Sequence, residues 1–553
     1  MPSGHALAER PLGMKNTDFV QRDDDGRPVY WRHGGGSGNA VVEHDDAADE
    51  TYARVTAGPG GGASYIEQTV PLPEDAVQVK FEVVYRYWNI VPGERGYQRG
   101  KIQGRYLNSG DETGPWIDCA SVAGTQEEWQ VGANAKDVVD GADAVFFRIG
   151  MYDVKSGCVE VREVRASVIT EDDLAAIRSQ YRPAKPYGRS VPETRIEKLS
   201  RGLNINGWFC QPYNVKGDGH RGGFSAEHFR SFISDDELKR MATVGFRHLR
   251  LPIDPEAFVD KDTGALNPEL LPELDTVIRR VVDVGLAVDF DPHPKMHHFK
   301  RMADNRGRPD QFLRWWKEMA AHLHRTTDPD WVFLETLNEP GGQAYYGQKW
   351  SDYQDRLIMA IRASAPEHTI VANAGGYQLV RDLENHVPHS DRNVVYAVHY
   401  YEPSQFTHQG AQWMKDWYIP LRSVPWPVDE RQRDQISTWI DTDHVYAEKS
   451  REAIAGMLSQ GLGKRERIEQ NFEKISAWSA QHDRRIVINE FGVYTKFAAK
   501  TDAMAWTDAV VTEANRRGYG WSLWEYTGDF GFAQPVIPED RQWDEQRLDA
   551  LGF

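Results

Sequence analysis

WVFLETLNEP, residues 331–340, decides how the second half of this chain is read. A short apolar run bounded by polar residues reads as a buried strand. Here the run stops at Asn338-Glu339-Pro340. RIVINEFG, residues 485–492, repeats the pattern and ends in Asn489-Glu490. Working outward in both directions finds six more such runs: LNIN (203–206), FRHLRL (246–251), LAVDFD (286–291), TIVANA (369–374), VVYAVHYY (394–401) and YGWSLW (519–524).

Helical patterns separate most of these runs. ISDDELKRMATVG (233–245) opens with Ser234 and places Glu237 three residues on, the signature of a capping box. LLPELDTVIRRVVDVG (270–285) and DQFLRWWKEMAAHLHR (310–325) carry apolar residues at helical spacing. Eight strands alternating with helices predict a (β/α)8 TIM barrel over 196–553. At roughly 360 residues the unit exceeds the usual ~250, and the excess lies mainly between VVYAVHYY and RIVINE. A doubly wound open sheet would need a glycine-rich phosphate turn after its first strand, and LNINGWF is not one.

The first part of the chain has a different grammar. KFEVVYRYW (80–88), AVFFRIGMY (144–152) and EVREVRASVI (160–169) read as strands, separated by turn clusters such as GPGGG (58–62) and VDGAD (139–143). No long amphipathic pattern interrupts them, which predicts a β-sandwich over 16–175 behind a flexible N-terminus, 1–15. A short helical stretch, EDDLAAIRSQ (171–180), and the Pro-rich YRPAKPYGRSVPE (181–193) mark a linker at 176–195. The whole is α/β, a barrel preceded by a sandwich.

Composition narrows the function classes. A net charge of −18 argues against a nucleic-acid partner, since phosphate binding rewards a basic face. No apolar run reaches the roughly 18 residues of a membrane helix, so no membrane partner is expected. Three cysteines (Cys119, Cys158 and Cys210) form no disulfide framework, although a Cys119–Cys158 bridge remains open. The N-terminus, MPSGHALAERPLG, lacks the apolar stretch of a secretory signal, leaving either a cytoplasmic protein or one whose leader was removed.

The active face of a parallel barrel lies at the C-terminal strand ends. Those ends carry Arg250, His293, Asn338-Glu339, His399 and Tyr401, Asn489-Glu490 and Trp524. Buried carboxylates are costly unless partnered, so two at apolar strand ends ask for a reason. Glycoside hydrolysis supplies one, because it needs an acid for the leaving oxygen and a carboxylate at the anomeric carbon. Arg250 beside Glu490 would favour its carboxylate, and the charge on Glu490 would in turn keep a proton on Glu339.

At these residues the chain resembles glycoside hydrolase family 5, the cellulase-like retaining enzymes on (β/α)8 barrels. The ordered motifs span about 200–530. LNEP resembles the acid/base motif, which implies Glu339 in that role and Asn338 at the sugar 2-hydroxyl. INEFG resembles the nucleophile motif and implies Glu490. RHLRLP, FDPHP, AVHYY and SLWEY resemble the segments that imply Arg250, His293, His399 with Tyr401, and Trp524 as the floor of the reacting subsite. The long stretch 403–480 departs from the family pattern.

The resemblance implies a β-1,4-glucan or its oligosaccharides as substrate, with mannanase, exo-β-glucosidase or β-mannosidase action and transglycosylation as alternatives. A non-catalytic carbohydrate-binding protein is the reading from another class. No cofactor is implied, and the loose spacing of His293, His297 and His298 is a poor metal pattern. Trp208, just after the first strand, is expected to face the cleft. Trp413, Trp417 and Trp426 either line sugar subsites or pack their long loop. In the sandwich, which loosely resembles carbohydrate-binding modules, Trp88, Tyr97, Tyr106 and Trp116 are candidates for a binding platform.

Overall fold

The computed structural model describes residues 10–35, 39–46, 48–58, 62–94, 98–173, 175–176, 185–210, 224–260, 265–294, 309–341, 350–535 and 541–553. The chain divides into two compact units, the first essentially Met1–Arg182 and the second from Pro183 onward. No helix among the described residues is long and apolar enough to cross a membrane.

The first unit is a sandwich of antiparallel sheets. One joins strands in the order β3 (Asn39–Asp45), β4 (Glu50–Thr56), β11 (Ser156–Thr170), β6 (Ala76–Val91) and β9 (Gly124–Asp137), with β1 (Arg10–Pro11) on β11. The other runs β2 (Arg32–Gly35), β5 (Ser64–Pro71), β10 (Ala144–Met151), β7 (Gly100–Asn108) and β8 (Asp111–Val122). Alternate residues of both sheets, among them Val79, Phe81, Val83, Ile102, Phe147, Ile149, Val159 and Val161, meet in one apolar core. The sandwich begins earlier than its sequence pattern suggests: Arg10 and Pro11 pair with Val168 and Ser167, and Leu12 is buried in the core.

Among the described residues, the expected aromatics share no common platform. Tyr106 is a core residue whose hydroxyl donates to the Lys136 carbonyl at 2.6 Å. Trp88 and Trp116 lie on strands of opposite sheets, each with an arginine, Arg86 or Arg105, over its ring. Tyr97, and the end of the helical stretch 171–180 with the start of the linker, fall outside the described residues. Cys119 and Cys158 sit in different sheets and are free thiols, so no bridge joins them; Cys210 is free as well.

The second unit is a closed barrel of parallel strands: β12 (Arg201–Asn204), β13 (His248–Ile253), β14 (Ala287–Pro292), β15 (Val332–Glu335), β16 (Ile370–Asn373), β17 (Val394–Tyr400), β18 (Arg485–Phe491) and β19 (Gly520–Leu523). Each expected run supplies one strand. The capping box is present, with Ser234 Oγ accepting from Glu237 N–H and the Glu237 carboxylate accepting from Ser234 N–H. Packing at the start of the barrel is tight enough to require glycine at 202, where a Cβ would lie 2.2 Å from the His248 ring and 2.4 Å from Ser522 Oγ.

Period-two alternation points every second strand residue into the barrel. At the N-terminal end these are apolar: Ala287, Phe333, Val371, Val395, Ala397 and Val487, closed off by Leu199 and Val191. Toward the C-terminal end the same positions turn polar, giving Asn204, Arg250, Asp289, Asp291, Glu335, Asn373 and His399, all buried. The apolar floor stabilises the barrel, and the polar ceiling is what later chemistry can use.

The stretch between β17 and β18 folds onto a small apolar core of its own, formed by Tyr418, Leu421, Val424, Val428, Ile436, Trp439, Ile454 and Leu458. Helix Ala447–Ser459 closes it, and helix Arg465–His482 leads the chain back to the barrel.

Candidate active site

Glu490 owes its position to an irregularity in β18. Ala397 pairs with Val487 and His399 with Glu490, so three steps on β18 match two on β17. An extra residue of this kind lets two consecutive side chains turn inward. Asn489 Nδ2 accordingly reaches both oxygens of Glu335 at 3.1 Å, while Glu490 reaches Arg250.

Arg250 is the hub. Its side chain is out of solvent and its fork donates in several directions at once. Nη1 donates to Glu490 Oε1 at 2.7 Å and to Asn204 Oδ1 at 3.0 Å. Nε and Nη2 bind the two Glu335 oxygens at 2.7 and 3.0 Å, and Nη2 also reaches Asn338 Oδ1 and Asp291 Oδ2, each at 2.9 Å. Burial disfavours its charge, yet Asp291, Glu335 and Glu490 together hold the guanidinium protonated well beyond its ordinary range.

Donor logic then fixes the next partners. Arginine can only donate, so the Asn338 oxygen faces Arg250 and its Nδ2 faces His293 Nε2 at 3.1 Å. His293 Nε2 therefore accepts, and its proton sits on Nδ1, donated to Asp291 Oδ2 at 2.8 Å. The His293 ring lies nearly parallel to Trp524 with centroids 5.5 Å apart.

Glu339 stands just past β15 and is the more exposed of the two acids, its side chain 32% accessible against 6% for Glu490. His399 Nδ1 lies between them, 3.0 Å from Glu339 Oε1 and 3.4 Å from Glu490 Oε2. Burial works against a charged imidazole, but Glu490 and then Glu339 outweigh it and raise the His399 pKa. Burial likewise works against the Glu490 carboxylate, and His399 and Arg250 overcome it, leaving its pKa below the ordinary value. Tyr401 donates to Glu490 Oε2 at 3.0 Å.

One ligand atom each from Glu339, His399 and Glu490 lie within 4.8 Å of one another. Such a trio could hold a cation in principle. Here both Glu490 oxygens accept from Arg250 or Tyr401, and His399 Nδ1 lies against both acids, so the atoms that converge already serve internal hydrogen bonds. The other metal candidates, His297 and His298, fall outside the described residues.

Eight of the nine residues expected from the sequence thus converge: Arg250, His293, Asn338, Glu339, His399, Tyr401, Glu490 and Trp524. Trp208 does not join them. Gly207, at φ +92°, turns the chain, and the Trp208 indole is fully buried against Phe209 with its N–H on the Phe229 carbonyl at 2.8 Å. It offers no face to a sugar. Of the loop tryptophans, Trp426 is buried and Trp417 packs on the insertion core. Trp413 is 59% exposed. Its ring sits 4.9 Å from Tyr494 and 6.4 Å from His408, and His408 in turn lies 5.0 Å from Tyr401.

Asn204, Asp291 and Glu335 were not among the expected site residues, and Asn489 was read at its strand tip without a role. The signal was present as inward parity: Asp289 and Asp291, two apart in LAVDFD, share the face that Arg250 uses. Asp289 is fully buried and neither carboxylate oxygen has a hydrogen-bond partner among the described residues. Burial first, and Glu335 second, push its pKa well above the usual carboxylate range.

Residues 213–529 match the family model described as cellulase, glycosyl hydrolase family 5. The chain belongs to glycosyl hydrolase family 5. This family 5 enzyme is 31% identical over 263 residues to cellodextrinase A of Ruminococcus flavefaciens, a match covering 45% of this chain and 72% of that protein. It is 25% identical over 354 residues to endoglucanase 3 of Fibrobacter succinogenes, covering 62% of this chain and about half, 51%, of that longer protein. The structure of endoglucanase Cel5A from the hyperthermophilic Thermotoga maritima aligns at 25% identity with a TM-score of 0.50, over 65% of this chain and 99% of that one. As a member of this family the protein is a glycoside hydrolase.

Proposed function

We propose that this family 5 enzyme cleaves β-1,4-linked glucan and its oligosaccharides with retention of configuration, Glu490 acting as nucleophile and Glu339 as acid and base. The observation that carries the reading is the close approach of the two carboxylates, with ligand atoms within 4.8 Å. Retaining enzymes keep their carboxyl groups about 5–5.5 Å apart, whereas a water-holding inverting pair needs about 6.5–9.5 Å.

The asymmetry of the pair supports the division of labour. Glu490 is buried, held by Arg250 and Tyr401, and favoured as a carboxylate. In the first step one of its oxygens bonds to the anomeric carbon while the glycosidic C–O bond breaks, and Glu339 delivers its proton to the departing oxygen. In the second step Glu339 takes a proton from water, the water oxygen bonds to the anomeric carbon, and Glu490 leaves. Asn338 has one amide hydrogen on His293 and a second left for the sugar 2-hydroxyl. Trp524, stacked beside His293, would floor the reacting sugar.

The names of the relatives, a cellodextrinase and endoglucanases, favour a glucan chain over other β-glycans. Reducing-sugar release from a panel of β-glucans, β-mannans, xylan and short oligosaccharides tests this, with Glu490→Ala as the blank. Release from the β-1,4-glucans that vanishes in the variant is expected. Activity surviving in Glu490→Ala would sink the mechanism.

A further inference from the structure

We propose that Gln378 is a positioning residue for the acid/base, holding Glu339 and its histidine partner in one frame; this rests on the role of Glu339 proposed above. Glu339 has φ +36°, a left-handed conformation that a non-glycine residue adopts only at a cost. Such a conformation persists only where its surroundings hold it.

The holding segment is the last residue of β16 and the turn after it. Alternate residues of the Glu339 stretch are each tied to it. The Leu337 carbonyl accepts from Asn373 Nδ2 at 2.8 Å, Glu339 N–H donates to Gln378 Oε1 at 2.7 Å, and Gly341 N–H donates to the Gly376 carbonyl at 2.8 Å. The middle tie is the one made by a side chain to the strained residue itself.

Gln378 does a second thing with its backbone. Its carbonyl accepts from His399 N–H at 2.8 Å, and His399 is the residue whose ring meets Glu339 Oε1 at 3.0 Å. One residue therefore sets the peptide that carries the acid and the peptide that carries the acid's partner. Gln378 is itself left-handed, at φ +58°, and almost fully buried. Its Nε2 is buried with no hydrogen-bond partner among the described residues. Leaving a buried amide donor unpaired is costly, so packing alone would favour an apolar side chain here. The glutamine is accounted for by its oxygen, the acceptor that Glu339 N–H requires.

A residue that aims the acid affects leaving groups that need a proton and spares those that do not. The test compares kcat/KM for cellotetraose, whose leaving alkoxide needs protonation, with kcat/KM for a dinitrophenyl β-cellobioside, whose leaving group does not. Gln378→Leu is expected to lower the first roughly 10- to 100-fold, as small misplacements of catalytic groups do, and to leave the second within about threefold. Equal losses on both substrates, or no loss on either, would overturn the proposal. If Gln378→Leu does not fold, Gln378→Met is read in the same way. Glu339→Gln is run alongside. Should it keep full activity on cellotetraose, the acid role of Glu339 falls and the role of Gln378 with it; should it lose that activity while Gln378→Leu does not, only the Gln378 proposal falls.

Discussion

Arg250 Nη1 lies 2.7 Å from Glu490 Oε1, joining side chains on β13 and β18 that are both withdrawn from solvent. The same guanidinium binds Glu335 and Asp291, so a single side chain serves three buried carboxylates. Removing it leaves those charges unpaired, which in buried pairs costs about 3–5 kcal/mol. Arg250→Met is therefore expected to lower the denaturation free energy by that order. Arg250→Lys keeps a charge but loses the fork.

The pH dependence follows from His399 and from the same Arg250 contact, which together outweigh the burial of Glu490. A Glu490 pKa held below its ordinary value stabilises the fold above the unfolded-state value of about 4.3, and that stability is lost as pH falls through the native value. The acidic limb of kcat/KM in the wild type is expected below the ordinary glutamate range. Arg250→Lys should move it upward, and a pH–rate profile with an unmoved limb would refute the assignment of Arg250 to Glu490.

Asp289 has the opposite sign. Its pKa is raised in the native state by burial and by Glu335, so the native state keeps a proton that the unfolded chain releases from pH 3.8 upward. Its contribution to stability is intact below that pH and declines as pH rises toward the native value. Asp289→Asn cannot ionise. Denaturant midpoints at pH 5 and pH 8 should differ less in the variant than in the wild type, and an unchanged difference would count against a buried neutral Asp289.

Tyr401→Phe deletes the hydroxyl that donates to Glu490 Oε2 and little else. Hydrogen bonds to charged groups are worth about 1.5–3 kcal/mol, so kcat/KM should fall roughly 10- to 150-fold with a near-native melting curve. A variant with wild-type kinetics would remove Tyr401 from the account.

Trp413 stands exposed two ring contacts away from Tyr401, on the insertion between β17 and β18. Trp413→Ala is expected to reduce kcat/KM on longer cello-oligosaccharides roughly tenfold, about 1.4 kcal/mol, with little effect on a short aryl glycoside. Trp426→Ala should instead cost stability, about 3–5 kcal/mol, because that ring is buried. Equal kinetic losses on long and short substrates in Trp413→Ala would argue against a sugar contact there.

The barrel was legible because each strand is a short apolar run, and the acids because both stand where such runs end. Asp289 and Glu335 were not legible at the tips because they lie within the runs, and Asp291, which ends its run, is marked only by its inward parity with Asp289. Asn489 and Glu490 both turn inward only because of the β18 irregularity, which one sequence does not announce. Trp208 was misplaced because its direction depends on the turn at Gly207 rather than on its distance from β12. Tyr106 follows plain alternation on β7, inward with Gly100, Ile102 and Gly104; the pattern alone did not say which face of that strand meets the core. Gln378 carries no motif, and its contacts to Glu339 and His399 exist only once β15, β16 and β17 are side by side.

During turnover Glu490 is expected to bond to the sugar. An activated 2-deoxy-2-fluoro-β-cellobioside slows release of such an intermediate, and peptide mass mapping after inactivation locates the label. A label on Glu490 within the IVINEFG segment is the predicted result. A label on Glu339 or another residue, or release of the α-anomer as first product with no label at all, would contradict the account.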